Sequence, residues 1–399
     1  MNPSVAEHPS GGMQYQLQIY FAGTQNIKPQ LPVSFEELEQ KARELMPPEA
    51  FAYIAGGAGA ETTMANNKEA FNKWQIVPRM MGDVSKRSIG IEVFGTKLAT
   101  PLLLAPVGVL SIAHPEAELA VARAAKALGV PQIVSSVSSK TIEEIAGVLN
   151  EHPHWFQLYW GRDNDFTRSI ISRAEKAGYG AIVVTLDTRL FAWRERDIQN
   201  AYLPFLYGDG LANYNTDPVF LAAINNPSNN KMEMMMHFAD CYSNPASTWN
   251  DLAVIRNSTR LPVILKGIQH PDDAKKAIDH GADGIIVSNH GGRQMDGAIG
   301  SLDTLATIAD AVADKTTILF DSGIRRGADV FKAMALGAKA VLIGRPYAYG
   351  LALAGEQGVK EVLGNLLADV DLTLGLAGCN SWEDVARDKL HYYGSYNGK

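Results

Sequence analysis

The sequence predicts an α/β fold, a (β/α)8 TIM barrel with an N-terminal helical extension and a long lid insertion after strand four. From Pro101 onward, eight short aliphatic runs follow one another, and each is typical of a buried strand. Most of these runs are separated by segments with the apolar spacing of helices that pack on a parallel sheet. The long exception, residues 188–251, far exceeds an ordinary connection and is typical of a lid.

The predicted elements alternate in chain order, as such a barrel requires. The strands are Leu102–Ala105, Gln132–Ser135, Trp155–Tyr159, Ala181–Leu186, Val263–Lys266, Gly284–Val287, Thr317–Phe320 and Ala340–Ile343. The helical patterns between them include Ala117–Leu128, Phe166–Ala177, Asp272–His280 and Gly327–Leu336. Before the barrel, Ser34-Phe35-Glu36-Glu37 is typical of a capping box at the start of a helix.

These elements define one large domain with two short flanks. The barrel domain is expected to span residues 31–390, with the lid insertion at residues 188–251. Residues 1–30 are rich in Pro, Gly, Ser and Gln and have no apolar period, so we expect a flexible or docking arm there. Residues 391–399 are expected to form a C-terminal tail.

Composition limits the partners and the compartment of the protein. A hydrophobic content of 46% in 399 residues is enough to bury one large core. The net charge of −7 and the lack of Lys/Arg runs argue against nucleic acid as a partner. No apolar run reaches the roughly 18 residues of a membrane span and no leader pattern is evident, so we expect a cytoplasmic protein without membrane contact. Cys241 and Cys379 are too few and too far apart to suggest a disulfide framework or a zinc site, and no metal is expected.

The most informative motif follows the sixth predicted strand. The segment Ser288–Gln294 places His290 and Arg293 on one glycine-rich loop. A neutral imidazole takes a proton near pH 7, and a guanidinium three positions on can hold a carboxylate with two hydrogen bonds. The paired glycines between them let the backbone approach a flat ligand closely. The motif therefore predicts a base beside an anion clamp, with a small acid that bears an abstractable proton as the substrate.

Polar residues stand at the carboxyl ends of most predicted strands, where a barrel gathers its active site. They are Gln157, Tyr159, Thr185, Asp187, Lys266, Ser288, His290, Asp321, Gly344 and Arg345. The segments Asp321–Gly327 and Gly344–Pro346 supply glycines and guanidiniums where barrels commonly bind a phosphate. A phosphorylated cofactor is therefore expected, and Lys266 would stabilise negative charge on an electron-accepting ring.

Together these motifs resemble the FMN-dependent family that oxidises L-2-hydroxy acids. The resemblance spans residues 31 to 390 and rests most on Ser288–Gln294 and Asp321–Gly327. It is supported by Tyr53–Gly57, Leu265–Ile268 and Gly344–Pro346. Within the family, the insertion is most similar to that of lactate 2-monooxygenases, on the segments Trp193–Asp197, Leu203–Leu206 and Leu211–Phe220. The resemblance implies FMN as the cofactor.

The resemblance also implies a role for each site residue. His290 matches the base and Asp187 the carboxylate that orients it, while Arg293 and Arg194 match the pair that binds the substrate carboxylate. The phenols that the resemblance implies as substrate contacts are Tyr53 and the catalytic Tyr159. Tyr214 is expected to contact the substrate for another reason, because a tyrosine on the lid can close over a small substrate and donate a hydrogen bond. The residues expected to bind FMN are Pro106, Val107, Gly108, Ser135, Gln157, Thr185, Lys266, Ser288, Asp321, Gly323, Arg325, Gly344 and Arg345.

The implied reaction is the oxidation of a small L-2-hydroxy acid, with L-lactate as the preferred interpretation. A hydride route and a carbanion route use the same residues, so both stay open. No haem domain precedes the barrel, so oxygen is the expected acceptor. Retention of pyruvate under the lid would give acetate, carbon dioxide and water, and Gly108 and the monooxygenase-like lid favour this outcome. Early release would give pyruvate and hydrogen peroxide, which is the alternative, and the aliphatic Val137 is consistent with a small substrate side chain.

Two other classes of protein stay open as alternatives, and an oligomer is expected. A phosphate-binding barrel isomerase or lyase without a redox role is the distant alternative, because the phosphate corner is shared widely. A non-catalytic binding barrel is less favoured, since a binder does not need a base opposite two arginines. Family members that resemble this chain form tetramers or larger assemblies, so we expect a homo-oligomer.

Overall fold

The computed structural model describes residues 11–224 and 231–393 of the chain. Its centre is a closed barrel of eight parallel strands, which follow one another around the ring in chain order until the last pairs with the first. Helices lie between the strands along the chain and cover the barrel. The predicted (β/α)8 barrel is therefore confirmed.

The described ranges contain short outer strands as well as the barrel strands. The outer strands before the barrel are β1 (Trp74–Ile76), β2 (Ile91–Val93) and β3 (Thr96–Leu98). The barrel strands are β4 (Leu102–Leu104), β5 (Gln132–Ser135), β6 (His154–Tyr159), β7 (Ile182–Thr185), β8 (Val263–Ile268), β9 (Gly284–Val287), β10 (Thr317–Phe320) and β11 (Ala340–Ile343). A last outer strand, β12 (Leu390–Tyr392), pairs with β1.

The α-helices of the described ranges fall into three groups. Before the barrel lie α1 (Gly12–Gly23), α2 (Phe35–Leu45), α3 (Pro48–Ala55) and α4 (Thr62–Asn72). The lid contains α8 (Glu195–Gln199), α9 (Ala212–Asn215), α10 (Pro218–Ala222) and α11 (Lys231–Tyr242). The barrel helices are α5 (Ala117–Ala127), α6 (Ile142–Leu149), α7 (Asn164–Lys176), α12 (Leu252–Arg256), α13 (Pro271–Asp279), α14 (Ser301–Val312), α15 (Gly327–Ala335) and α16 (Arg345–Leu376).

Burial explains why the barrel strands are continuous apolar runs. Every residue of β5, β7, β9 and β11 is buried, because side chains face either the barrel interior or the surrounding helices. The register between β8 and β9 shifts between Lys266 and Ile268. Gly267, which lies at this bulge with φ +111, closely approaches Asp187: a Cβ there would lie 3.0 Å from the Asp187 Cβ. The backbone of β8 at the bulge thus lies against Asp187, a predicted site residue.

Two of the predicted helices begin at side-chain caps. Ser34 Oγ accepts a hydrogen bond from the Glu37 N–H at 3.3 Å, and α2 begins at the next residue, as the sequence predicts. Asp163 Oδ1 accepts from the N–H groups of Asp165 and Phe166, both at 2.9 Å, and so begins α7. These short-range hydrogen bonds fix the first turns of α2 and α7.

The N-terminal arm differs from the prediction, because residues 12–23 form the helix α1. This helix packs on α16, where the Gly12 N–H donates to Asp371 Oδ2 at 2.9 Å and the Tyr15 hydroxyl donates to Asn365 Oδ1 at 3.1 Å. These residues therefore form a helix that docks on α16 and not a flexible arm, since contacts with α16 stabilise a helix whose own periodicity is weak. Residues 1–10 lie outside the described residues.

The structure changes the predicted start of the C-terminal tail. Residues 391 and 392 belong to β12 and pair with β1, so the tail does not begin at residue 391. The ring of Tyr392 lies 4.8 Å from that of Trp74 and fixes this pairing. Residues 394–399, and residues 225–230 within the lid insertion, lie outside the described residues.

The amino end of the barrel is closed by an apolar floor. The hairpin of β2 and β3 carries Phe94, whose ring lies edge-on to Trp155 with centroids 5.7 Å apart. A Cβ at Gly284 would lie 2.6 Å from Phe94 Cζ, so glycine is required for this close approach. Leu103, Ile264 and other buried aliphatic side chains complete the cluster. No helix in the described part of the chain is long and apolar enough to cross a membrane.

Candidate active site

The carboxyl ends of the barrel strands surround one cavity of about 1000 Å³, counting the space that opens to solvent at its mouth. Most of the predicted site residues line it, namely Tyr53, Pro106, Val107, Gly108, Tyr159, Arg194, Lys266, His290, Arg293, Asp321, Gly323, Arg325, Gly344 and Arg345. Five more lie behind this lining, namely Ser135, Gln157, Thr185, Asp187 and Ser288. Residues from all eight strand ends and from α3 are thus brought to one place.

His290 and Asp187 form a hydrogen-bonded pair at this mouth. Asp187 Oδ1 lies 2.7 Å from His290 Nδ1, and their side chains are only 13% and 16% exposed. The Thr188 hydroxyl also donates to Asp187 Oδ1, at 3.1 Å. Because the carboxylate holds the proton of Nδ1, Nε2 is the ring nitrogen with a free lone pair. This is the arrangement of an imidazole that can accept a proton.

The pKa shifts of this pair agree with that arrangement. Burial lowers the pKa of His290, and the opposing effect of the Asp187 anion does not reverse the shift. Burial alone would raise the pKa of Asp187, but His290 and Lys266 outweigh it and the pKa of this carboxyl is lowered. Near neutral pH the pair is therefore a carboxylate beside a neutral imidazole.

The loop that carries His290 has an uncommon backbone. His290, Gly291 and Gly292 all lie in the left-handed region, with φ of +58, +65 and +76. A histidine rarely adopts this conformation, and it persists here because the loop is held by hydrogen bonds. The His290 N–H donates to Ser288 Oγ at 3.0 Å, and the Gly291 N–H donates to Ser322 Oγ, also at 3.0 Å. The sequence of β9 and its loop thus fixes the position of the imidazole.

Arg293 and Arg194 form a cationic pair beside Tyr53. Arg293 Nη1 donates to the carbonyls of Tyr53 at 2.6 Å and Gly56 at 2.7 Å, and Arg194 Nε donates to the carbonyl of Arg293 at 3.1 Å. Their guanidinium carbons lie 5.3 and 6.0 Å from the centre of the Tyr53 ring. Burial, followed by the charges of Arg194 and Arg345, lowers the pKa of Arg293 to about 9. A bound anion would relieve this cost of burying like charges together.

Two tyrosines from different elements meet at the wall of the cavity. The rings of Tyr159, at the end of β6, and Tyr242, at the end of α11, have centroids 4.5 Å apart. Burial raises the pKa of both phenols, so both stay protonated and can donate hydrogen bonds. Phe205 of the lid also lines the cavity. The sequence does not predict Tyr242 and Phe205 as site residues, because neither stands at a strand end.

Tyr214 is not part of the site, which corrects the prediction for this residue. It is fully buried inside the lid, with its ring 4.9 Å from that of Phe166 and 4.8 Å from that of Phe238. The neighbouring Asn213 fixes this position, since its amide donates to the carbonyl of Ser136 at 3.1 Å. The short helix α9 is thereby pinned to the barrel wall, and Tyr214 points into the packing between α7 and α11.

Lys266 lies buried at the centre of the mouth. Its ammonium lies 3.0 Å from Asp321 Oδ2 and donates to Ser288 Oγ at 2.8 Å. Burial alone would lower the pKa of Lys266, but Asp321 and Asp187 outweigh it and the pKa is raised. The side chain therefore provides a fixed, buried positive charge in the site.

A layer of polar side chains lies behind the lining at the ends of β5, β6 and β7. The Ser135 hydroxyl donates to Gln157 Oε1 at 3.1 Å, and Gln157 Nε2 donates to the Thr185 hydroxyl at 2.9 Å. All three side chains are buried. These hydrogen bonds set the orientation of the Gln157 amide and restrict the rotamers of Ser135 and Thr185.

The corner of β10 and β11 carries two buried arginines. Arg325 stacks on Phe35, with its guanidinium carbon 4.1 Å from the ring centre, and its buried Nε has no partner among the described residues. Arg345 instead donates to the carbonyls of Ala55, Gly291 and Gly56, at 3.1, 3.1 and 2.9 Å. Arg345 therefore holds the His290 loop to the end of α3, and burial lowers the pKa of both guanidiniums.

Three observations show that these residues fit the FMN predicted from the sequence. The unpartnered Nε of Arg325 is a donor of the kind that a phosphate would take up. At Gly344 a Cβ would meet nothing nearer than 3.7 Å, so the glycine leaves open space beside Val107. Lys266 supplies a buried cation for a ring that accepts electrons. Arg325 and Gly344 would thus hold the phosphate end, and Lys266 and the Pro106–Gly108 segment would contact the ring.

Comparison with known proteins agrees with this geometry. The family model described as FMN-dependent dehydrogenase matches residues 42–392. An L-lactate oxidase of Lysinibacillus sphaericus is 46% identical over 354 residues, which cover 89% of this chain and 91% of the relative. A 4-hydroxymandelate oxidase of Amycolatopsis orientalis is 43% identical, with 88% of this chain and 95% of the relative covered.

Solved structures give the same result at the level of the fold. A crystal structure of mandelate oxidase superposes with a TM-score of 0.78 at 40% sequence identity, and the match covers 90% of this chain and 98% of that one. These matches argue against the non-redox isomerase or lyase that the phosphate corner alone left open. The chain belongs to the FMN-dependent dehydrogenase family, its cofactor is FMN, and its reaction is the oxidation of a 2-hydroxy acid.

Proposed function

We propose that the protein is an oxidase of small L-2-hydroxy acids, with L-lactate as substrate, oxygen as acceptor, and pyruvate and hydrogen peroxide as products. The observation that carries the proposal is that His290 lines the same cavity as the cationic pair of Arg293 and Arg194. Nε2 of this histidine is free to accept a proton. A substrate with a carboxylate next to its hydroxyl-bearing carbon presents both groups to this pair of functions at once.

Each residue then has a defined task. Arg293 and Arg194 bind the carboxylate, and Tyr53, whose ring lies beside both guanidiniums, contacts the same end of the substrate. His290 removes a proton from the substrate, and Asp187 holds the imidazole in the required tautomer. Tyr159 contacts the substrate hydroxyl. FMN, when bound, supplies the two-electron acceptor for this oxidation.

The walls of the cavity favour a substrate with a small side chain. Val137, Phe205 and Tyr242 line it together with Gly108. A Cβ at Gly108 would lie 2.5 Å from Val137 Cγ2, so this wall has no spare room. Because relatives include both an L-lactate oxidase and a 4-hydroxymandelate oxidase, the comparison of L-lactate with L-mandelate is the relevant test of substrate class.

Oxidative decarboxylation to acetate, carbon dioxide and water is the second candidate outcome. Phe205 and Tyr242 favour it, because two bulky lid side chains at the cavity wall would retain the 2-oxo acid beside newly formed peroxide. The sequence alone ranks this outcome first. The identity of 46% with an L-lactate oxidase favours the reverse order, which we adopt.

The test is a product assay on the FMN-loaded enzyme with L-lactate in air. We expect equal amounts of pyruvate and hydrogen peroxide, and no reaction with D-lactate, which cannot present its hydrogen on the same face. Acetate and carbon dioxide without peroxide would establish the second candidate. Failure to turn over L-lactate, L-mandelate or glycolate would contradict the proposal in both forms.

We also propose that the enzyme acts in the cytoplasm as a homo-oligomer, a tetramer or larger. The beginning of the lid exposes Leu190, Phe191 and Trp193 by 65%, 53% and 70%, and large exposed apolar groups in one segment are typical of an interface. Size-exclusion chromatography with light scattering tests the assembly. A monomer at working concentrations would contradict it.

A further inference from the structure

A cluster of metal-ligating side chains lies outside the cavity, where the lid helix α11 meets the start of α7. His237 and Cys241 lie one turn apart on α11, and Asp163 is the cap residue of α7. His237 Nε2 lies 3.6 Å from Cys241 Sγ and 3.7 Å from Asp163 Oδ2. All three ligand atoms lie within 4.8 Å of one another. The activity proposed above uses none of them.

These distances match those of a tetrahedral zinc site. With Zn–S of about 2.3 Å and Zn–N or Zn–O of about 2.0–2.1 Å, tetrahedral angles place sulfur and nitrogen about 3.6 Å apart, and nitrogen and oxygen about 3.4 Å apart. The distances from His237 to Cys241 and to Asp163 lie close to these values before any side chain moves, and the sulfur and the carboxylate oxygen lie within 4.8 Å of each other. A cation placed between the three atoms would therefore need little rearrangement of the fold.

The state of each ligand also suits a cation. Asp163 Oδ1 is engaged as the cap of α7, so Oδ2 is the oxygen that faces His237. Cys241 is buried, but the side chains of His237 and Asp163 are 18% and 24% exposed, which leaves access from solvent.

We propose that Asp163, His237 and Cys241 form a binding site for a divalent cation of the zinc class, which fastens the lid helix α11 to the barrel rim. Thiolate and imidazole ligands together select zinc over calcium or magnesium. Binding forms the metal–sulfur bond and releases the thiol proton to solvent, and water completes the coordination from the exposed side.

The site has a direct connection to the active-site cavity. Tyr242, which follows Cys241, lines the cavity, and Tyr159 lies four residues before Asp163 on the other side of the same contact. A cation would join the elements that carry these two tyrosines. The number and spacing of the cysteines alone predict no metal. A site with one cysteine, one histidine and one aspartate is not revealed by cysteine spacing.

Equilibrium dialysis of the FMN-loaded enzyme against Zn²⁺, with bound metal measured by elemental analysis, tests the site. We expect one zinc per chain in the wild type. Cys241→Ser and Asp163→Asn should weaken binding by more than the roughly 10–100-fold that loss of an outer-shell partner costs. Asparagine keeps an Oδ1 acceptor for the cap of α7, so this variant separates ligation from folding.

Cys379→Ser is the matched control, because Cys379 is also buried but lies apart from the cluster, beside the carbonyl of Asp384. It should bind zinc like the wild type. A wild type that binds no zinc, or a Cys241→Ser variant that binds it equally well, would overturn the site.

Hydrogen exchange tests the fastening of the lid separately. Zinc should slow amide exchange in residues 231–242 of the wild type and leave exchange unchanged in Cys241→Ser. Zinc that binds to the wild type without slowing exchange there would overturn the proposed effect on the lid.

Discussion

The two ends of the barrel are built from opposite kinds of residues. At the floor, Phe94 covers Trp155, and the cluster around them is aliphatic. At the mouth, the ends of the same strands carry Lys266, Asp187 and other buried charges. The floor gains free energy from burial, whereas the mouth holds cations close together that no anion among the described residues fully compensates. Substitutions at the floor should therefore change the stability of the protein, and those at the mouth should change its activity.

The largest effect is expected at the floor. Trp155→Ala removes the side chain on which Phe94 packs, and a buried Trp→Ala change costs about 3–5 kcal/mol of unfolding free energy. Denaturant unfolding of the FMN-loaded enzyme measures this loss. The kcat of the fraction that stays folded should not change. A large fall in that kcat would contradict the assignment of the floor to stability alone.

At the mouth, Asp187→Asn should lower kcat/KM by about 10³-fold with little change in unfolding free energy. An amide can donate to His290 Nδ1, which would leave the proton on Nε2 and remove the free lone pair. Thr188→Val is the matched control, because it removes only the hydroxyl that donates to Asp187. Similar losses in the two variants would contradict the role given to the carboxylate.

Arg293→Lys should raise KM for L-lactate by about 10–100-fold, the loss expected for one or two charge-assisted hydrogen bonds. The lysine keeps the charge but lacks the planar fork, so it also loses the bonds to the carbonyls of Tyr53 and Gly56. Steady-state kinetics with the methyl ester of lactate, which has no charge, provide the control. An equal loss with the ester would show that Arg293 does not act on the carboxylate.

The smallest effect is the dependence on pH. His290 must be neutral to accept a proton, and burial lowers its pKa below the ordinary value of about 6.5. The kcat/KM should therefore rise with pH through the His290 pKa and be flat above it, when measured between about pH 5 and 8. Asp187→Asn removes the anion that opposes this shift and should move the rising limb to lower pH. A limb centred above pH 7 would contradict the assignment.

The barrel and most of its mouth could be predicted from the sequence because the fold itself does the positioning. Parallel strands in a closed barrel bring their carboxyl ends together, so a polar residue at the end of an apolar run, such as Lys266 or Asp321, lies at the mouth. The roles of these residues stay predictions until the variants are measured.

The lid could not be predicted in the same way, since no periodic rule sets the path of a long insertion. The sequence predicts Tyr214 over the substrate, yet Asn213 pins its helix to the barrel wall, and Tyr242 lines the cavity instead. For the same reason the approach of Asp163 to His237 has no signal in the sequence, because the two residues meet only through packing of α7 on α11. The helix α1 is likewise stabilised by its contact with α16.

The most direct test is anaerobic mixing of L-lactate with the yellow FMN-loaded enzyme, followed by absorbance of the flavin. The wild type should bleach rapidly, and His290→Ala should bind FMN with the same yellow colour but fail to bleach at a comparable rate. Rapid bleaching in His290→Ala would contradict the account, because the proton would then have an acceptor other than this imidazole.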